Sequence, residues 1–235
     1  MGRTTIFAAL AMTMMMPLAN PQVSKVGSDG DPIRQGLFAC QPLSVLVQRL
    51  KLDGSPGPFQ TIADASGLAK AGKTEEAKSL LRSVLLQPNL ETRIQLWVWS
   101  GLRELGEQPD AKSGREVLGV VIEVPMQEAY DTLAAYQDGS ARYLNFSGAA
   151  IFWDAPDPTI QALCRSFIAS SASVGSQARP RTDVSLPRSG IEVTLLTRAG
   201  MFVIPNPPQS VIAAASSLML EMMRRANEKK QVKAN

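Results

Sequence analysis

The stretch "TLAAYQDGSARYLNFSGAAIFWD", residues 132–154, decides the fold. Three short runs rich in β-branched, aromatic and small apolar residues are separated by Asp138-Gly139 and Ser147-Gly148. Such pairs are favoured in two-residue hairpin turns, whose backbone matches the twist of the flanking strands. The spacing predicts a three-stranded antiparallel meander with Gly139 and Gly148 at positive φ. With two-residue loops, Leu133 falls opposite Leu144, and Leu144 opposite Ile151. Ala135, Arg142 and Trp153 then share a row on one face, which sets Arg142 beside the Trp153 ring as a cation–π pair. Ala134, Tyr143 and Phe152 form a row on the other face, and Thr132, Asn145 and Ala150 another. Both faces carry apolar rows, so both need a cover. Asp138 serves the turn, and Arg142 and Asn145 point to opposite faces, which prevents them from acting on one substrate.

Working outward, "REVLGVVIEVP" is an almost unbroken apolar run, as expected of a strand buried on both faces, and Pro125 ends it. On the other side, "DAPDPTIQALCRSFIASSASV" reads as a helix with Asp157 as cap and Pro158 in its first turn. Ile160, Leu163, Cys164, Phe167 and Ile168 make its apolar face. "GSQARPRTDVSLPRSG" reads as a loop, and "IEVTLLTRAGMFVIP" as two strands about Ala199-Gly200. In the last helix, opened by Asn206 and Pro207, a narrow polar stripe leaves a broad apolar surface that suits a helix laid on a sheet. A Met-rich partner groove is the rival reading.

Upstream, residues 59–106 carry helical periodicity. One helix stops near Gly72. A second follows with Thr74 as N-cap and Glu75 and Glu76 in its first turn. A third starts at Asn89 and closes at Gly106. Trp97 belongs to its core face; Trp99 is expected to face the sheet or solvent. Before these helices, residues 20–36 read as a linker, "QPLSVLVQRLKL" fits a helix or a strand equally, and "DGSPGP" at 53–58 is a break.

"GLAKAGKTEEAKSLLRSVLLQP" resembles a tetratricopeptide hairpin. No second copy follows at a fixed period, and a repeat array needs about three units to close a core. One helical hairpin with a third helix is the expectation. The stretch "VLGVVIEVPMQEAYDTLAAYQDGSARYLNFSG" is similar to one from a group of uncharacterised bacterial proteins, over residues about 93–170; that likeness implies no catalytic residues. The predicted fold class is α+β: a helical hairpin and third helix, then an antiparallel sheet of five to six strands covered by helices on both faces. The divisions are an apolar segment at 1–19, a linker and short element at 20–58, a helical segment at 59–106 and an α+β domain at 107–235.

Composition bounds the chemistry. The 235 residues contain 24 basic and 21 acidic side chains, a balance that argues against nucleic acid as a partner. Histidine is absent, which removes the commonest general base and zinc ligand. Cys40 and Cys164 form either one disulfide or two buried thiols, and buried thiols are the commoner outcome. "MGRTTIFAALAMTMMMPLANPQ" has one basic residue and then an uncharged run that fits the apolar core of a secretory signal. Export is the expectation, although Pro17 spoils the cleavage site; a cytosolic protein with an apolar N-terminal helix is the alternative. Membrane contact is expected only through this segment.

No phosphate loop, nucleophile elbow or metal-ligand spacing occurs, so no cofactor and no metal are expected. The favoured function is a non-enzymatic protein–protein interaction or adaptor role with a protein partner. The alternative is a carboxylate-based hydrolase or a small-ligand-binding protein. Candidate ligand or anion contacts are Arg179, Arg181 and Arg188, which could gather on one loop, together with Tyr136 and Asp154.

Overall fold

A computed structural model describes residues 31–50, 57–126 and 129–234. The apolar N-terminal run, and most of the break at 53–58, lie outside the described residues. Among the described residues, seven α-helices and one seven-stranded antiparallel sheet make an α+β fold. Five helices come first: α1 (Pro32–Leu37), α2 (Leu43–Leu50), α3 (Pro58–Lys70), α4 (Thr74–Leu85) and α5 (Thr92–Glu104). Strands β1 (Val117–Pro125), β2 (Tyr130–Tyr136), β3 (Ala141–Leu144) and β4 (Ala150–Trp153) follow. Then come α6 (Pro158–Ala172), β5 (Arg179–Arg181), β6 (Glu192–Thr197), β7 (Gly200–Pro205) and α7 (Gln209–Ala234). The strands lie in the order β4-β3-β2-β1-β6-β7-β5.

The strand count exceeds the expected five to six because the arginine-rich loop contains β5, which pairs with β7 through Arg179↔Val203 and Arg181↔Met201. Three residues with a central proline carry no usable strand periodicity. The supposed linker at 20–36 likewise contains α1. Asp31 starts that helix by accepting from the Ile33 amide at 2.8 Å. The ambiguous segment after Cys40 is helical, as α2.

The meander is present, but its register is one residue off the sequence reading. Thr132 pairs with Leu144 and Leu133 with Tyr143; Tyr143 in turn pairs with Ile151, and Ala141 with Trp153. Both loops hold three residues rather than two. The Tyr136 amide bonds the Ser140 carbonyl and the Asn145 amide bonds the Ala149 carbonyl, at 3.0 and 2.9 Å. Gly139 (φ 85°) and Gly148 (φ 91°) take the left-handed position that closes such a loop. Their positive φ is as expected, although the loops are longer. A one-residue slip exchanges faces. Arg142 therefore lies on the face opposite Trp153, and its guanidinium sits 5.6 Å over the Phe152 ring instead.

Alternation along β1, reset by an irregularity between Val117 and Gly119, divides the core. Val120, Ile122 and Val124 join Leu133, Tyr143, Trp153, Ile160, Phe167, Leu218 and Met222 under α6 and α7. Leu118 and Val121 join Ala134, Tyr136, Leu196 and the side chains of α1 to α5. The sheet thus has a helical layer on each face, and the continuous apolar run of β1 is buried on both. The broad apolar surface of α7 is accounted for by this packing. Cys164 is buried in the first layer, and both cysteines are free.

Several caps differ from expectation. Asp157 does cap α6, accepting from the Thr159 and Ile160 amides. Gly72 and Gly106 do end α3 and α5, with the Lys73 and Glu107 amides reaching back to Leu68 and Leu102 at 2.9 Å each. Thr74, however, is the first residue of α4 and not its cap, and α5 starts at Thr92 and not at Asn89. The Thr92 amide is capped from a distance by Asp138 Oδ2 at 2.7 Å, while the Asp138 amide donates to Thr92 Oγ1 at 3.2 Å. Asp138 Oδ1 accepts from the Ser140 amide at 2.9 Å. One carboxylate therefore shapes the β2–β3 loop and pins α5 to it. Asn206 precedes α7 by three residues, at φ 49°. The last hairpin turns through Arg198 and Ala199, with Gly200 already paired to Thr197.

Candidate functional site

A cleft of about 460 Å³ opens at the β5 end of the sheet. Its walls are β5, the segment 182–189 and the ends of β6 and β7. The period of two along a strand sends Arg179 and Arg181 to one face, and Arg188 approaches from the segment that folds back over it. The three arginines singled out from sequence therefore meet in one cavity. The acids Asp183 and Glu192 line it too.

The arginines are not equivalent. Arg181 is 7% exposed, and its donors are already engaged. Nε bonds the Asp183 carbonyl at 2.8 Å, Nη1 the Thr194 hydroxyl at 2.6 Å, and Nη2 the Ser185 carbonyl. It also faces Glu123 at 3.5 Å and Glu192 at 3.7 Å. Arg181 shapes the wall of the cleft rather than reaching into it. Arg179 and Arg188 are exposed, and no acceptor among the described residues meets either guanidinium. Asp183 binds the Ser185 amide and hydroxyl, bonds that hold its carboxyl below the usual range.

Behind the cleft lies a charge cluster that the sequence reading did not anticipate. Arg34 of α1 is fully buried, and its Nε donates to Glu123 Oε1 at 2.6 Å. Its Nη1 donates to the Val184 carbonyl at 2.6 Å, and its Nη2 lies 2.6 Å from the same Glu123 oxygen without hydrogen-bonding alignment. The guanidinium carbons of Arg34 and Arg181 sit 5.4 and 5.1 Å from the Phe38 ring centroid. Burial pushes the Glu123 carboxyl up, although both arginines oppose the shift. A signal existed: Glu123 interrupts the apolar run "VVIEV", and a charge buried on both faces requires a partner. Which cation would supply it could not be read, because Arg34 is 89 residues away in the chain.

Tyr136 and Asp154 are not part of this cleft. Tyr136 is completely buried against α1, where its hydroxyl donates to the Leu37 carbonyl at 2.6 Å. Its ring lies across Gly119, where a Cβ would come within 2.9 Å of Cδ1. Burial pushes its phenol up. Asp154 lines a separate recess of about 300 Å³ with Glu91 and Asp138. Each acid there is engaged: Asp154 by Arg142, Glu91 by Arg93 at 2.5 Å, and Asp138 by the α5 amide. Asp154 is thus the partner of a buried arginine, Arg142. Because it is 64% exposed, Asp154→Asn is expected to lower stability by no more than about 1 kcal/mol in chemical denaturation.

Asp131 is a different case. It is 2% exposed and accepts from the Tyr143 hydroxyl at 3.1 Å and the Phe146 amide at 2.8 Å, with no cation paired to it among the described residues. Burial pushes its carboxyl up, outweighing both bonds. An acid whose pKa is raised on folding contributes stability below its unfolded pKa and loses it as pH rises through the folded value. The wild type is therefore expected to lose stability relative to Asp131→Asn as pH climbs from the usual aspartate range. Denaturation midpoints of both proteins across pH check this, and parallel profiles would contradict it.

Burial pushes the Cys164 thiol up to about 12 and that of Cys40 to about 11, and Cys164 Sγ lies 3.6 Å from the Gly139 carbonyl oxygen. Among the described residues, no three acid or cysteine side chains gather as metal ligands, and no helix is long and apolar enough to cross a membrane. No family model, curated protein or solved structure matches this chain.

Proposed function

We propose that this chain is a non-enzymatic protein that docks a partner protein, with the arginine cleft as its receiving surface. The observation that carries this reading is the convergence of Arg179 and Arg188, exposed and without acceptors among the described residues, on a cavity stiffened by the engaged Arg181. Guanidinium groups presented on a rigid wall are a common means of recognising acidic groups on a partner. Pro180 at the centre of β5 has no amide to offer an added strand, which favours side-chain recognition over extension of the sheet at this edge. The alternative, a carboxylate-based hydrolase, has less support. Its acids, Asp154, Glu91 and Asp138, are occupied by an arginine, another arginine and a helix amide.

The test is site-specific photocrosslinking in the cells that make the protein. A photoreactive residue replaces Thr182 in the cleft or, as control, Leu86, which is 84% exposed at the end of α4. One discrete crosslinked species is expected from position 182 and not from 86, and it should disappear in the R179E/R188E background. A species formed equally at both positions, or unaffected by charge reversal, would move the docking surface elsewhere.

A further inference from the structure

We infer that the group seated in the cleft is a single carboxylate, held in a fork between Arg179 and Arg188. This inference rests on the docking reading and adds the chemistry of what docks. Three arginines line the cavity against Asp183 and Glu192, leaving one positive charge, and the Arg34–Glu123 pair behind it is neutral. A monoanion therefore neutralises the site, whereas a phosphate dianion would leave a net negative charge in the cleft. The two oxygens of a carboxylate offer about four acceptor sites, enough to take donors from both Arg179 and Arg188, neither of which meets an acceptor among the described residues. Arg181 acts as a positioning residue. Its bonds to the Asp183 and Ser185 carbonyls hold the start of the segment that carries Arg188, and its contact with Thr194 anchors that segment to β6.

Two sources share this chemistry: an acidic side chain and a chain terminus. Acetyl-glutamate amide presents the first and acetyl-glycine the second; inorganic phosphate at pH 8 supplies the dianion. Each is titrated into the full chain at low ionic strength while the side-chain Nε–H resonances of Arg179 and Arg188 are followed by NMR. At least one carboxylate probe is expected to move both resonances saturably. That binding should weaken at least tenfold in R179Q/R188Q and stay unchanged in R165Q, whose arginine is exposed on α6. The tighter of the two probes identifies the source. Phosphate binding tenfold tighter than either carboxylate would overturn the monoanion assignment while leaving the docking reading intact. No shift with any probe would overturn the carboxylate site, and the crosslink from position 182 would then decide separately whether a partner docks there by other contacts.

Discussion

Arg34→Met is expected to lower the unfolding free energy by about 3–5 kcal/mol, the usual cost of leaving one member of a buried ion pair without its partner. Methionine fills much of the arginine's volume, so the loss reports charge more than cavity. Glu123, fully buried on β1, would keep only Arg181 at 3.5 Å. The Val184 carbonyl would also lose its donor, freeing the segment that walls the cleft. The penalty should shrink in acid. Burial already raises the Glu123 pKa, and removal of Arg34 takes away the largest opposing influence. The folded protein would then hold a proton on Glu123 that the unfolded chain releases, so the deficit grows as pH rises above the usual glutamate range. Arg34→Met/Glu123→Gln should recover at least half of the loss, since Arg181 keeps Thr194 and Glu192. Guanidinium chloride midpoints for the two single variants and the double variant give the coupling. Additive losses would show that the two residues do not act as a pair.

This pair also shows where sequence reasoning runs out. The α+β class, the buried β1 and the meander are legible because hydrophobic period and turn residues are local signals. The Asp157 cap and the glycine stops are legible for the same reason. Three features are not. Strand β5 is too short to show a period. The cap of α5 comes from Asp138, 46 residues away, so the local signal points to Asn89 instead. The Arg34–Glu123 contact spans the chain from the first described helix to the central strand. Within the candidate site, the three arginines of 179–188 are legible as a group because they are close in sequence. That Arg181 is occupied and the other two are not depends on Thr194 and on the carbonyls of a folded loop. Tyr136 and Asp154 join the arginines by residue type alone, and the sheet holds them apart.

The register error has the same origin, and it supplies the second large effect. Asp-Gly can close a two-residue loop or occupy the last two places of a three-residue one, and the dipeptide does not distinguish them. What does is tertiary: with three residues, Asp138 can reach the α5 amide, and Ala141 and Tyr143 face the apolar layer under α6. Gly139 is the residue on which this arrangement depends. At φ 85°, an L-residue costs about 1–2 kcal/mol in backbone strain. A Cβ there would also lie 2.4 Å from Gln161 Cγ and 3.2 Å from Gln161 Cβ on α6, so the Gln161 side chain must swing aside and its Cβ give way, which adds about 1–3 kcal/mol. Gly139→Val is therefore expected to destabilise the protein by about 2–5 kcal/mol, with Gly139→Ala toward the lower end. Gly72→Ala provides the control. It has a similar dihedral, φ 76°, and nothing lies within 4 Å of the place its methyl group would take, so it should show the backbone cost alone. Urea denaturation of the three variants separates the two contributions. If Gly139→Val proves no worse than Gly72→Ala, the β2–β3 loop does not pack against α6 as described, and the register of the meander must be redrawn.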